Sequence, residues 1–312
     1  PTPPSMSTLS SITVSSAREN LLHGTLPPGL GHTVFPNLED FSFHFNRFSG
    51  QIPVSLSNAS NLALFGISAN IFTGRVPNLA RMSNLFRVEM DANNLGNNEE
   101  GDLDFLSSLV NCTNLERLDI SGNNFGGVLP ESLSNLSTKL EVMRLGGNQI
   151  RGSIPVGIGN LINLGILGFE VNQLRGPIPI SICKLNKIFS LSLNHNELFG
   201  TIPVMLGNLT SLGILLLMSN NLQGSIPLSL GECRNLQALN LSQNNLSGPI
   251  PDEVISLSSL SQFLDLSHNY FTHSIPFRVG LLLQLAYLDL SNNSLSGEIP
   301  SSIGNCISLE SL

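Results

Sequence analysis

One phrase of residues recurs along this chain: L-x-x-L-x-L-x-x-N-x-L-x-G-x-I-P, clearest as LQALNLSQNNLSGPIP from Leu236 to Pro251. Its Asn falls at Asn20, Asn46, Asn70, Asn93, Asn123, Asn148, Asn172, Asn196, Asn220, Asn244, Asn269 and Asn293, mostly 24 residues apart. A fixed period in the twenties argues against a conventional layered domain. Each unit is too short to bury its own apolar face and must stack on the next. A chain that grows by stacking needs no second core, so 312 residues imply one continuous coil. Function is then expected on a long surface rather than in a pocket.

Each copy reads as a strand followed by a return leg. In the copy around Asn244, Leu239 and Leu241 alternate with polar residues, the period of a half-buried strand. The Asn amide suits the turn that ends the strand, because it bonds free backbone groups. Stacked copies set these amides in a ladder from Asn46 to Asn293. Ile250-Pro251 opens the return, where a residue without an N–H is tolerated. The apolar-Pro pair recurs in eleven of the twelve copies and fails after Asn93. The pattern predicts a plant-type leucine-rich-repeat solenoid, an α/β-type superhelix with a parallel concave β-sheet and short 3₁₀ or α segments on the convex side. A single solenoid is expected over residues 1–312, cut within a repeat at both ends: Pro3 stands where Pro53 and Pro155 stand before the next ladder Asn, and Leu309 and Leu312 open a further strand.

One interval departs from the rule. Asn93 and Asn123 are 30 residues apart, and an insertion at 94–114 replaces the usual tail. Its DLDFLSSL run predicts a longer convex helix with Asp102 as N-cap. The stretch NNLGNNEEGDLDFLSSLVNCTNLERLDISGNNFGGVLPESLSNLSTKLEVMRLGGNQIRGSIPVGIGNL closely resembles the ectodomains of plant leucine-rich-repeat receptor-like serine/threonine kinases of subfamily XII. That group includes receptors for bacterial peptides and a rice blight-resistance receptor. The resemblance implies an extracellular, plasma-membrane-anchored immune receptor that binds a peptide or protein ligand. It implies a short leucine-rich-repeat co-receptor kinase as partner and a kinase domain beyond this chain. This chain itself is expected not to be an enzyme. Two other readings stay open: an inhibitor like those that block fungal polygalacturonases, or a receptor-like protein with no kinase.

Composition narrows the partners. The net charge is −8 and the only lysines are Lys139, Lys184 and Lys187, so no basic patch is available for nucleic acid. No run of 18 apolar residues occurs, so this segment is expected to make no membrane contact of its own. There is no H-E-x-x-H, P-loop, G-x-S-x-G or C-x-x-C, and the six histidines are scattered, so no cofactor, metal or catalytic residue is expected. Cys112, Cys183, Cys233 and Cys306 occupy much the same layer of different repeats. The nearest pair lies two repeats apart, about 10 Å, too far for a disulfide, so all four are expected to be buried free thiols. Glycosylation is expected at Asn58, Asn111, Asn135 and Asn208, sequons on the convex side; Asn240, on a concave strand, is expected to stay bare.

The concave positions lie four, two and one residues before each ladder Asn. Most carry a repeated D-L-S filler, and departures from it are the informative residues. Glu89, Asp91 and Asp119 form an acidic stripe beside Arg87, Arg117 and Arg144, while Glu170, Val171 and His195 follow. Leu216 and Met218 place apolar side chains where polar ones are usual. Ligand contact is expected at Glu89, Asp91, Asp119, Arg144, Glu170, Val171, His195, Leu216 and Met218. Asn194 is expected to be exposed, in contrast to the ladder residue Asn196.

Overall fold

The structure is a computed structural model and describes residues 9–312; the expectation about Pro3 lies outside the described residues. The chain divides into two compact units, Pro1–Leu164 and Gly165–Leu312. Both repeat one plan: a short parallel strand, an Asn turn, a flank strand, and a 3₁₀ segment that returns the chain.

In the first unit, strands Val14–Ser16, Asp40–Ser42, Leu64–Gly66, Arg87–Glu89, Arg117–Asp119 and Val142–Arg144 pair in parallel. A flank sheet of His23–Gly24, Arg47–Gln51, Ile71–Gly74 and Asn94–Leu95 runs beside them. The inward residues are apolar and much of the early core is aromatic. Phe41 stacks on Phe65 at 6.0 Å and on Phe43 at 4.4 Å, and Phe48 stacks on Phe72 at 6.3 Å. Each such pair contributes about 0.5–1.5 kcal/mol beyond its area burial.

In the second unit, strands Ile166–Gly168, Ser190–Ser192, Ile214–Leu216, Ala238–Asn240, Phe263–Asp265 and Tyr287–Asp289 pair in the same parallel manner. The flank sheet here comprises Gln173–Gly176, Glu197–Gly200, Asn221–Gly224, Asn245–Pro249 and Tyr270–Thr272. The core is mainly aliphatic: Leu191, Leu215, Leu239 and Leu264 are fully buried in successive strands. Burial of each such side chain stabilises by roughly 1.5–3 kcal/mol.

The return leg follows from Pro. Residues such as Pro53, Pro155, Pro203 and Pro227 hold φ between −54° and −63° and extended ψ, and a 3₁₀ segment starts immediately after each. Pro presets that φ, and its missing N–H would have had no partner at a segment start. The last residues of these segments include Asn58, Asn135 and Asn208, all exposed; exposed Asn111 ends Leu109–Asn111.

The insertion folds differently from the expectation. The α-helix is only Asp104–Ser108, with Leu103 at its N-cap and no side-chain cap. Asp102 is fully buried and serves elsewhere. One carboxylate oxygen accepts the backbone N–H groups of Asn97 at 2.8 Å, Glu99 at 3.1 Å and Gly126 at 3.1 Å. Its other oxygen lies 3.4 Å from Arg75 Nε. Arg75 also holds Glu99 at 3.1 Å, and Arg151 holds Glu100 at 2.9 Å. A buried carboxylate can satisfy three backbone donors at once, which a cap at the helix start could not do for this loop.

Candidate ligand-binding face

The Asn turn sets the geometry of the strand face. In Asn196 the amide nitrogen donates to the carbonyls of Phe169, Leu193 and Asn194 at 3.0–3.3 Å, and the amide oxygen accepts the Leu174 N–H at 3.0 Å. Asn70, Asn93, Asn123, Asn148, Asn220, Asn244, Asn269 and Asn293 repeat the pattern, for instance Asn93 with Ile67, Met90, Asp91 and Phe72. Asn46 does the same with Ala17, Phe43, His44 and Leu22, and Asn172 donates to Phe169 and Glu170. The residue just before each turn Asn is left-handed: Phe45, Ala69, Ala92, Val171, His195, Ser219, Gln243, His268 and Asn292 have φ of 51–54°. Val171 is the exception in kind, a β-branched residue in a region that disfavours it.

In the first unit the expected acidic stripe is largely neutralised from within. Glu89 pairs with Arg117 at 3.0 Å and Asp119 with Arg144 at 3.6 Å, across neighbouring strands whose register sets Glu89 beside Asp119 and Asp119 beside Arg144. Asp91 accepts the Ser68 hydroxyl. Asp119 is buried rather than displayed, and its Oδ1 accepts the Ser121 N–H at 3.2 Å and hydroxyl at 2.6 Å. That brace recurs at Asp265–Ser267 and Asp289–Ser291, so the Asp of D-x-S has a structural task wherever it occurs. Burial pushes the Asp119 carboxyl above its ordinary value, against the pull of Ser121 and Arg144.

His44 was not read from the sequence. Its buried ring lies over Gly66, where a Cβ would meet Nε2 at 2.1 Å, and reaches to 3.6 Å from Glu89. The missing side chain of Gly66 makes the room. Desolvation lowers the His44 pKa, although Glu89 pulls the other way.

In the second unit, Val171 and His195 are exposed, while Glu170, Leu216 and Met218 are half-buried on the face. Asn194 is buried, 8% exposed, in contrast to the expectation, and among the described residues its Oδ1 has no hydrogen-bond partner. Apolar residues one strand position earlier also reach the face and escaped the sequence reading. Phe189 is 44% exposed and lays its ring over Gly213, where a Cβ would meet it at 2.3 Å. Ile214 in the next strand is half-buried, as is Phe263 two strands beyond it. The signal was present in the residues six and seven places before each ladder Asn, outward positions that the D-L-S filler does not cover.

The four cysteines are free and buried. The thiols of Cys112, Cys233 and Cys306 donate to the carbonyls of Met82, Leu206 and Val279, each in the preceding repeat. Desolvation pushes Cys112 and Cys233 up to about 11. Asn240 is half-buried and occupied: its amide donates to Asp265 at 3.2 Å and its oxygen accepts the Ser242 hydroxyl at 2.7 Å. Among the described residues no group of three His, Cys, Asp or Glu is placed to hold a metal, and no helix is long and apolar enough to cross a membrane.

Comparison with known proteins agrees with this geometry. The Leucine Rich Repeat family model matches residues 114–136, 139–161, 235–257 and 284–306. The LRR receptor-like serine/threonine-protein kinase EFR of Arabidopsis thaliana is 46% identical over 90 residues, 29% of this chain and 9% of that protein. Among solved structures, the plant peptide hormone receptor RGFR1 in complex with RGF2 matches with a TM-score of 0.84 and 31% identity, over 99% of this chain and 52% of that one. The Arabidopsis receptor kinase HAESA, in complex with the peptide hormone IDA and the co-receptor SERK1, matches with a TM-score of 0.75 and 27% identity, over 100% of this chain and 59% of that one. The chain thus spans just over half the length of these solved ectodomains and matches about a tenth of the curated relative. Repeat, register and likeness together make this chain a plant-type leucine-rich-repeat solenoid, similar to the ectodomains of receptor kinases.

Proposed function

We propose that the chain is the ligand-recognition region of an immune-type plant receptor kinase of subfamily XII, reading a peptide on its strand face from outside the cell. The observation that carries this is the pattern of outward side chains: outward strand positions hold Arg, Glu, Phe, Leu and Met in place of filler. The likeness to receptors solved with peptide hormones supports the class of ligand, and the one solved with SERK1 supports a short co-receptor kinase as partner. The run through Asn111–Glu116 and the loop around Glu99 support the subfamily. Signalling then passes to a kinase domain beyond these residues. Glycans at Asn58, Asn111, Asn135 and Asn208 would clothe the 3₁₀ side and leave the strand face open.

The reading frame that follows these repeats tests the kinase part: one membrane helix and a serine/threonine kinase are expected, and a stop soon after the repeats overturns it. The site is tested by charge. Arg144→Glu should weaken peptide capture and alter its salt dependence, since such pairs act mostly on specificity and encounter rate. Val204→Ser, on a 3₁₀ segment, should leave capture unchanged. The reverse pattern would move the site off the strand face.

A further inference from the structure

The strand face of the second unit has a chemistry that the first lacks. Strand Ile214–Leu216 is apolar on both sides: Leu215 faces the core, while Ile214 and Leu216, followed by Met218, face out half-buried. Phe189 lies against it across Gly213. The register places Leu216 beside Asn240, Asn240 beside Asp265, and Asp265 beside Asp289, one row crossing four strands.

Charge along that row is one-sided. None of the six strands that form this face contains Lys or Arg; Arg175 lies on a flank strand, and Lys184, Lys187, Arg234 and Arg278 lie on other segments. Among the described residues neither Asp265 nor Asp289 is ion-paired with a cation, whereas Asp119 in the same strand position of the first unit has Arg144. Asp265 accepts from Asn240 and Ser267, and Asp289 from Tyr287 and Ser291, all of them neutral donors. The row therefore presents an apolar contact at one end and, at the other, two carboxylates with no Lys or Arg partner among the described residues, the His268 ring acting on Asp289.

We infer that this face takes a peptide segment in the extended polyproline II conformation that sets an aliphatic or aromatic side chain on Leu216 and a Lys or Arg, three residues away, over Asp265 and Asp289. The inference rests on the peptide-recognition reading and names the ligand's chemistry. The spacing comes from geometry: two strand intervals cover about 10 Å, and a polyproline II segment advances about 3.1 Å per residue with three residues per turn, so that residues three apart share one face. The apolar contact supplies a desolvated anchor, the kind of place where binding energy concentrates. The carboxylates reject acidic segments and draw basic ones. Asn240 lies under the path, so its sequon must remain unmodified.

The experiment pans a phage-displayed random dodecapeptide library against the secreted chain, then measures synthetic copies of the enriched peptides by fluorescence anisotropy. Enrichment of an apolar residue three places from Lys or Arg is expected. Leu216→Ser should weaken those peptides about tenfold or more with the salt slope unchanged. Asp265→Asn, which keeps an acceptor for Ser267, should weaken them about threefold and flatten the salt dependence; it stays informative if Leu216→Ser fails to fold. Enriched peptides that lack the pair, or that bind both variants like wild type, overturn the inference and leave peptide recognition standing. No enrichment at all overturns both. Mass spectrometry should find Asn240 bare, and a glycan there overturns the inference.

Discussion

At the scale of the residue, the turn amide is the most consequential group in the chain. Asn196 serves four backbone groups, one of them a carbonyl and one an N–H of the preceding repeat. Asn196→Ala should therefore cost about 1–3 kcal/mol, from backbone groups left buried without partners. The neighbouring exposed Glu197→Ala should stay within about 0.5 kcal/mol of wild type. Equal melting temperatures would show that the amides carry no load. Val171 gives the opposite prediction. Its φ of 53° suits glycine and burdens a β-branched side chain, a strain of about 1–3 kcal/mol. Val171→Gly should raise the melting temperature of the second unit, less the extra chain entropy that glycine brings; a fall would mean that the side chain packs more than its exposure suggests. An apolar residue held exposed in an unfavourable conformation points to contact with a partner, in keeping with its place on the strand face.

Among elements, the insertion has its own internal scaffold. Asp102 gathers three N–H groups from two segments, while Arg75 grips the loop from the repeat before and Arg151 from the second repeat after. Asp102→Ala strands those donors at about 1–3 kcal/mol each if they stay dry. Hydrogen exchange should then show Asn97, Glu99 and Gly126 losing protection while the strand amides of the unit keep theirs; unchanged exchange at those three would refute the scaffold. The repeating elements were legible in the sequence because Asn and Pro recur in phase: strands end where Asn puts them, and 3₁₀ segments begin at Pro. The insertion was legible as an irregularity only. Asp102 before an apolar run has the look of a cap, and nothing local shows that Gly126, 24 residues on, supplies one of its partners. The strand face was legible in part. Asp119 reads as a departure from filler, yet it forms the same brace with Ser121 that Asp265 forms with Ser267. Phe189 and Ile214 went unread because the D-L-S filler does not reach their positions, and the placing of the Phe189 ring depends on Gly213, just before the next strand.

For the whole molecule, burial without cross-linking makes the cysteines reporters of folding. With pKa values of about 11, Cys112 and Cys233 hold almost no thiolate at neutral pH, and both are closed to solvent. Iodoacetamide at pH 7.5 should leave them unmodified in the native protein and label them on denaturation. Cys112 then reads the first unit, and Cys183, Cys233 and Cys306 the second. Rapid native labelling of Cys112 would contradict its place in the core. The turn amides carry a further consequence, for heredity. Each repeat completes the polar groups of the one before it, so an in-phase gene duplication or unequal crossover that adds or removes 24 codons brings or takes one whole set of partners. Such a lineage can lengthen or shorten its repertoire of strand faces without orphaning a backbone group. An out-of-phase event has no such protection: extra residues must find partners of their own, as those between Asn93 and Asn123 do in Asp102, Arg75 and Arg151, while the ladder on either side stays whole.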